Sequence, residues 1–448
     1  MSKFVRASKY RHVFGQAYKP ELCYSGITLS RNAWDQDYIS VNTKFLSIAW
    51  ESGGGAAAVL PIEKTGKLPQ GNVPLVSGHK GAVLDMDWNL FNENILATVS
   101  EDGYGRIWSI PDGGLTENME EPVQLLKGHK RKIGTARFHP TADNILATSS
   151  ADFTVKIWDI VSGDAKLTVE GHSDLISSCM WNKNGSQLVT TCKDKKIRIL
   201  DPRNNKIAQD WAGHQGVKGS RAIWIGDKNY VFTVGFTRTS EREFNLWDPR
   251  STDKPIHHTN VDSASGVIAP FYDEDSHMIY LAGKGDGNIR YYEVVDDAPH
   301  IYYLTEYKSA SPQRGLNLLP KRACNTAICE VMRAFKVTPT MVEPISFTVP
   351  RRSDLFQDDL FPPAFAGKPA MTGDEWLGGK DADPITMSLE AGFTPAPKVE
   401  APAFQKKEAE KELSEKEVRE EYEKMKTRVA YLEAELAKRD AKIKELEG

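Results

Sequence analysis

The stretch GHKRKIGTARFHPTADNILATSSADFTVKIWD, Gly128 to Asp159, opens with Gly-His and closes with Trp-Asp. Between those ends lie three short runs of alternating apolar character: Ile133 to Phe138, Asn144 to Ser149 and Thr154 to Trp158. His139-Pro140 and Ala151-Asp152 punctuate them. β-Branched and aromatic residues at period two, broken by turn formers, predict strands. Three strands with one apolar face cannot close a core alone, so the unit must repeat.

It does. Gly-His recurs with its His at His79, His129, His172 and His214, spaced 50, 43 and 42 residues. The closing dipeptide recurs as Trp108-Ser109, Trp158-Asp159, Leu200-Asp201 and Trp247-Asp248. A period of about 40–50 residues with this signature is that of a four-stranded propeller blade. These residues resemble WD repeats. In that pattern the His, a hydroxyl on the second strand, an Asp in the next turn and the closing Trp form a buried hydrogen-bonded set that holds the blade together. The resemblance places the set at His79, Ser100, Asp102 and Trp108, and again at His129, Ser150, Asp152 and Trp158. The third unit keeps His172 and Asp194 but has Cys192 and Leu200 in place of hydroxyl and Trp, so a weaker network is expected there.

Three less regular units flank these four, at Thr43 to Ile62, Asn260 to Val295 and Ala327 to Pro350. The count predicts an all-β, seven-bladed propeller over residues 1–350. A ring leaves no long edge unpaired, and the N-terminal strand around Val5 to Phe14 is free to complete the last blade.

Composition narrows the class. The chain has 448 residues, 40% of them hydrophobic, and a formal net charge of -4, which gives no bulk pull toward nucleic acid or an anionic membrane. Five cysteines without a Cys-x-x-Cys pair, and no apolar leader after Met1-Ser2-Lys3, lead to the expectation of a reducing cytosol. No run approaches the ~18 apolar residues of a membrane span. The repeat accounts for four His residues, and His257-His258 lacks acidic or Cys partners at metal-ligand spacing. Gly283-Lys284-Gly285-Asp286-Gly287 precedes a predicted strand rather than a helix, so it is a blade turn and not a phosphate loop. No catalytic, metal or cofactor site is expected, and a non-enzymatic role follows.

After Pro350 the composition shifts. Residues 351–389 hold Pro362-Pro363 with Phe356, Phe361, Phe365 and Trp376, which predicts an extended arm packed on the propeller. Residues 390–404, with Pro395, Pro397 and Pro402, read as a flexible linker. From Gln405 to Gly448, 25 of 44 residues are charged and none is Pro, which predicts one helix. Its apolar residues Val418, Tyr422, Met425, Val429, Leu432, Leu436, Ile443 and Leu446 alternate by four and three, with Arg439 in the remaining slot. That is a heptad seam, with Tyr422, Val429, Leu436 and Ile443 at a and the others at d. In a parallel coiled coil the flanks pair Glu421 with Lys426, Arg428 with Glu433 and Lys442 with Glu447, while Glu435 meets Asp440. Arg428 to Glu433 also resembles the Arg-apolar-x-x-apolar-Glu motif of short trimeric coils. A homotrimer is the first expectation for self-association and a dimer the alternative.

The ends of the chain carry a more specific resemblance. Ser8 to Gly15 (SKYRHVFG), Asn32 to Asp35 (NAWD), Gly53 to Ala56, Gly283 to Tyr291 and Pro350 to Ser353 resemble, in order, the landmarks of the coronins. The layout of propeller, arm, linker and coil is similar too. The resemblance implies a protein that binds filamentous actin and works at the actin cytoskeleton and cell cortex. It implies a coil that oligomerises and engages the branched-filament nucleating complex of actin-related proteins. Motility, endocytosis and phagocytosis are the processes it suggests. One position departs: animal members carry an actin-contacting arginine in an Ile-Arg-Val-Ser stretch, which here reads Ile27-Thr28-Leu29-Ser30, with Arg31 three positions on. Candidate filament contacts are therefore Arg31, the loop Lys130-Arg131-Lys132, and Lys193, Lys195 and Lys196 in a turn. The alternative reading is a general WD scaffold for protein complexes. Nucleic-acid binding lacks a basic stripe with interleaved aromatics.

Overall fold

The computed structural model describes residues 6–69, 71–394 and 415–446, with the backbone alone at the two ends of the last segment. The chain forms two units, one ending at Ala396 and one beginning at Pro397. The first is a seven-bladed propeller. Six four-stranded antiparallel blades cover residues 39–79, 83–127, 133–169, 176–212, 221–262 and 268–307. Blade seven takes three strands from Gly315–Leu318, Glu330–Val337 and Met341–Thr348. Its outer strand comes from the N-terminus in two pieces, Phe14–Ala17 and Tyr24–Ser25, with Phe14 opposite Thr348 and Tyr24 opposite Val342. The closing strand thus starts at Phe14, where the expected span around Val5 to Phe14 ends, and Val5 lies outside the described residues. Tyr10 and Val13 lie fully buried against blade seven.

The hydrogen-bonded set is real but differs from expectation in two respects. The hydroxyl at its centre is Thr148, not Ser150. The Trp158 indole N–H donates to Thr148 Oγ1 at 2.7 Å, and that oxygen lies 2.8 Å from His129 Nε2. With Nδ1 facing the Asp152 carboxylate and burial disfavouring a second ring proton, Nε2 is the nitrogen left to accept the Thr148 hydroxyl. His129 is then neutral and donates from Nδ1 to Asp152 Oδ2 at 2.9 Å. Thr98 and Thr233 hold the same place in blades two and five, between His79 and Trp108 and between His214 and Trp247. Burial pushes the His79 and His129 imidazoles below their ordinary value. Burial alone would lift the Asp102 and Asp152 carboxyls, but hydrogen bonds from the His rings and backbone hold both well below the carboxylate range.

The set also joins two blades rather than tying one. His79 ends the outer strand of blade one, yet Thr98, Asp102 and Trp108 belong to blade two. Ser100 and Ser150 have a different task, their hydroxyls donating to the carbonyls of Gly81 and Arg131. In the third unit Thr190 supplies the hydroxyl to His172 at 2.9 Å, so Cys192 is not the missing member. There Asp194 turns to Arg198 and Ser173, and His172 Nδ1 is buried with no hydrogen bond. That network is truncated, and burial beside Arg198 pushes His172 down to about 4.

The arm after Pro350 packs on the face that carries the connections within each blade's first and last strand pairs, here called the lower face. Leu360 and Phe361 are buried beside blade seven, and Phe365 lies 6.1 Å from Phe91 of blade two. Thr372 caps the short helix Gly373–Leu377 and directs Trp376 into a fully buried seat. The Trp376 indole donates to the Gly185 carbonyl at 3.1 Å, and its ring sits 4.9 Å from His139 and 5.6 Å from Trp181. Phe393 still packs on Phe356, so ordered contacts run three residues past the expected linker start at 390. The remainder of that linker and of the expected coil, residues 395–414, lies outside the described residues. The second unit contains the helix Glu415–Leu446.

Two measurements test these packing arguments. Thr148→Val strands two buried polar groups and is expected to cost about 2–4 kcal/mol in urea unfolding, against about 1 kcal/mol for Ser150→Ala; equal losses would restore Ser150 to the centre. The second concerns His139. Its Nε2 donates to Gly185 O at 2.9 Å while its Nδ1 accepts the Ala142 N–H at 2.8 Å, so a proton on Nδ1 has no room. Burial lowers its pKa to about 3. The stability this contributes is present above pH ~6.5 and is lost as pH falls toward about 3, roughly 3 kcal/mol by pH 4.5. Urea midpoints at pH 7.5 and 4.5 should diverge less in His139→Gln than in the parent; an identical divergence would disprove the assignment.

Candidate functional site: a basic face built on the hydrogen-bonded relay

The opposite, upper face carries the links between blades and the turns between second and third strands. Every predicted basic contact lies there. The relay itself positions the first group: the Asp152 carboxylate accepts the backbone N–H of Lys130 at 2.9 Å, Ser150 holds the Arg131 carbonyl, and the Ala151 N–H donates to the Lys132 carbonyl at 2.9 Å. A basic loop of three residues is thus pinned at each residue by backbone bonds, which leaves its side chains to point outward. Lys130 and Arg131 are exposed, with no side-chain partner among the described residues.

Arg31 sits at the start of the loop that enters blade one. Glu51 accepts the Arg31 backbone N–H at 2.8 Å and donates its own N–H to the Thr28 carbonyl at 2.9 Å. Thr28 and Arg31 therefore flank one residue, both exposed, and the Arg31 guanidinium is unpaired among the described residues.

From Arg31 the loop to Asp37 crosses the mouth of the central channel. Trp34 Nε1 donates to the Gly134 carbonyl of blade three at 3.3 Å, and Lys132 Nζ lies 4.6 Å from the Trp34 ring. Gln36 donates to the Val83 carbonyl of blade two at 3.3 Å. Arg221 of blade five pairs with Asp37 at 2.5 Å, and Lys284 of blade six donates to the Trp34 carbonyl at 2.9 Å. The Gly283 to Gly287 turn thus serves to hold this loop. Two glycines make room for it: a Cβ on Gly134 would lie 2.6 Å from the Trp34 ring, and one on Gly315 1.6 Å from the Asp37 carbonyl. Beneath lies a channel cavity of about 340 Å³ lined largely by first strands, with Arg137 and Asp85 of neighbouring blades paired at 2.5 Å on its wall. Burial raises Asp87 there to about 7.

The third group divides. Lys193 is exposed and unpaired among the described residues, and it borders a cavity of about 170 Å³ beside Ala33, Trp34 and Asp35. Lys195 donates to the Gln215 carbonyl at 3.0 Å, and Lys196 pairs with Asp210 at 2.5 Å on its own blade. Lys196 is the weakest of the predicted contacts, its charge already neutralised. Two further unpaired cations share the face, Lys80 and Arg238. Lys80 follows the repeat His just as Lys130 does, a signal the sequence offered; Arg238 lies in a turn equivalent to that of Lys193.

The helix Glu415–Leu446 presents its seam uncovered. Tyr422, Met425, Val429, Leu432, Leu436 and Ile443 are each about half exposed or more. Arg428 and Glu433 lie on the same helix, while Val418 and Leu446 fall where only backbone is described. No helix among the described residues is long and apolar enough to cross a membrane.

Gly134→Ala should unseat Trp34 and cost about 1–3 kcal/mol through overpacking. Amide exchange over residues 31–37 is expected to rise at least ~10-fold while exchange in blade five stays near the parent's, equivalent to more than about 1.4 kcal/mol of local opening. Unchanged exchange would show that the loop does not depend on that seat.

Similarity to known proteins agrees with this architecture. Residues 3–67 match a domain of unknown function, DUF1899, and residues 72–109, 120–159 and 163–201 match the WD domain, G-beta repeat. Residues 342–384 match a further type of WD40 repeat, which spans the last propeller strand and the arm through Trp376. The chain is 56% identical to coronin-A of Dictyostelium discoideum over the full length of both. It is 41% identical to human coronin-2B, over 99% of this chain and 95% of that one. The crystal structure of the WD40 domain from Toxoplasma gondii coronin superposes with a TM-score of 0.80 at 32% identity, covering 85% of this chain and 97% of the other. With the relay-built propeller, the arm and full-length similarity in agreement, the chain belongs to the coronin family.

Proposed function

We propose that this protein binds actin filaments through the upper face of its propeller and cross-links or bundles them as a self-associated oligomer at the actin cytoskeleton and cell cortex. The observation that carries the reading is the set of unpaired cations Arg31, Lys130, Arg131 and Lys193 on the upper face, with the Lys130 to Lys132 loop pinned by the relay and Arg31 by Glu51. The lower face is occupied by the arm, which leaves the upper one to meet a partner. A filament is an acidic lattice of repeating sites, so single propellers can bind weakly while linked ones gain ~10²–10⁴ in avidity. The seam of the C-terminal helix supplies the linkage, as a parallel homotrimer through Arg428 and Glu433 or, failing that, a dimer. By family resemblance the same helix engages the branched-filament nucleating complex, and thereby modulates branched-actin assembly and turnover.

Cosedimentation with filaments tests both parts. Charge reversal at Arg31, Lys130 and Lys132 together is expected to raise the apparent Kd at least ~10-fold and to flatten its salt dependence. A chain ending at Thr394 should bind with the weak affinity of one propeller. Unchanged binding by the reversal variant would move the site elsewhere, and capture of non-actin partners by a chain that never cosediments would favour a general scaffold.

A further inference from the structure

The channel cavity beneath the loop from Arg31 to Asp37 is lined by four aspartates, and one of them lacks a counter-charge. Asp35 faces Lys284 at 3.5 Å, Asp37 pairs with Arg221 at 2.5 Å, and Asp85 pairs with Arg137 at 2.5 Å. Asp87 forms no ion pair among the described residues. Its donors are backbone N–H groups, that of Phe138 at 2.7 Å and that of Trp88, and neither carries charge. Arg137 lies nearby, but its hydrogen bonds go to Asp85, to the Ala136 carbonyl and to Met180 Sδ. Burial outweighs these influences and holds the Asp87 carboxyl up at about 7. A buried carboxylate in this position is costly until a cation or a proton meets it.

The rest of the wall is apolar on one side of that charge. Leu90, Phe138, Pro140, Ile223 and Phe271 line the same cavity. Leu90 and Pro140 follow the first strands of blades two and three, which places them at its lower end. A volume of about 340 Å³ is at the small end of ligand-binding cavities. We propose that the channel binds a cation carried on an aliphatic stem, its ammonium or guanidinium group paired with Asp87 and its stem laid on Leu90, Phe138 and Phe271. Lysine and arginine side chains have this chemistry, an apolar stem under a charged head, and so does a free polyamine. An anion is disfavoured, because aspartates outnumber arginines four to two along the wall. An uncharged apolar ligand would leave Asp87 unpaired. The site is separate from the cations of the upper face and does not depend on filament binding.

Saturation-transfer NMR of the full chain tests the site with two probes, spermidine and the blocked tripeptide acetyl-Gly-Lys-Gly-amide. At least one should bind saturably, and its Kd should rise at least ~10-fold in Asp87→Asn, which removes the charge-assisted bond. The uncharged acetyl-Gly-Met-Gly-amide should give no saturable signal. Tighter binding of the tripeptide would assign the cation to a protein side chain, and tighter binding of spermidine to a free amine. Asparagine keeps a side-chain oxygen for the Phe138 N–H, so the variant is expected to fold. If it does not, Ile223→Phe narrows the cavity from blade five without touching the charge and must show the same loss. Failure of both probes to saturate the parent, or a Kd equal in parent and variant, would overturn the site.

Discussion

One hydroxyl group, repeated, carries this propeller. Thr98, Thr148 and Thr233 each accept a tryptophan N–H and lie within hydrogen-bond distance of a histidine Nε2, whose Nδ1 faces a carboxylate. Because the histidine belongs to the link from the preceding blade, every such chain of bonds fastens two blades. Neighbouring blades pack apolar faces on one another, as Phe244 and Leu246 of blade five do on Ile279 and Leu281 of blade six, and the relay adds directional bonds at the same seams. Threonine suits the position because its methyl packs in the strand while its hydroxyl both accepts and donates. Where the carboxylate is diverted, as with Asp194 and Arg198, the seam keeps only the hydroxyl half.

The same bonds prepare the surface. Asp152 ends the relay and also begins the basic loop, since it accepts the Lys130 N–H. Loop order here is a by-product of the seam. Side chains on a fixed backbone lose less entropy on any contact than those on a mobile one. The loop from Arg31 to Asp37 adds a second constraint, touching blades two, three, five and six at once. Lys132 Nζ lies 4.6 Å from the ring of Trp34, three residues after Arg31.

Much of this was legible in the sequence, and the misreadings are instructive. The repeat His, turn Asp and closing Trp are local and recur, so their spacing revealed the blades. Choosing Ser100 and Ser150 over Thr98 and Thr148 was an error of two residues, which strand alternation cannot detect because both lie on one face. The comparison across units could have detected it. Position 190 is Thr while 192 is Cys, and position 233 is Thr while 235 is Gly, so only threonine persists in all four. That the relay joins blades was hidden because a sequence repeat does not declare where a sheet ends. The state of each charge was hidden as well. Lys193 and Lys196 look alike in sequence, yet Asp210 reaches only the second.

The arm gives the propeller an asymmetry that its repeats do not carry. Trp376 closes the lower face by filling a seat made by His139, Trp181 and Gly185, three residues of different blades or loops. A face sealed by a buried tryptophan cannot also present a contact surface there, so the asymmetry of the disc is set by the arm and not by the repeats.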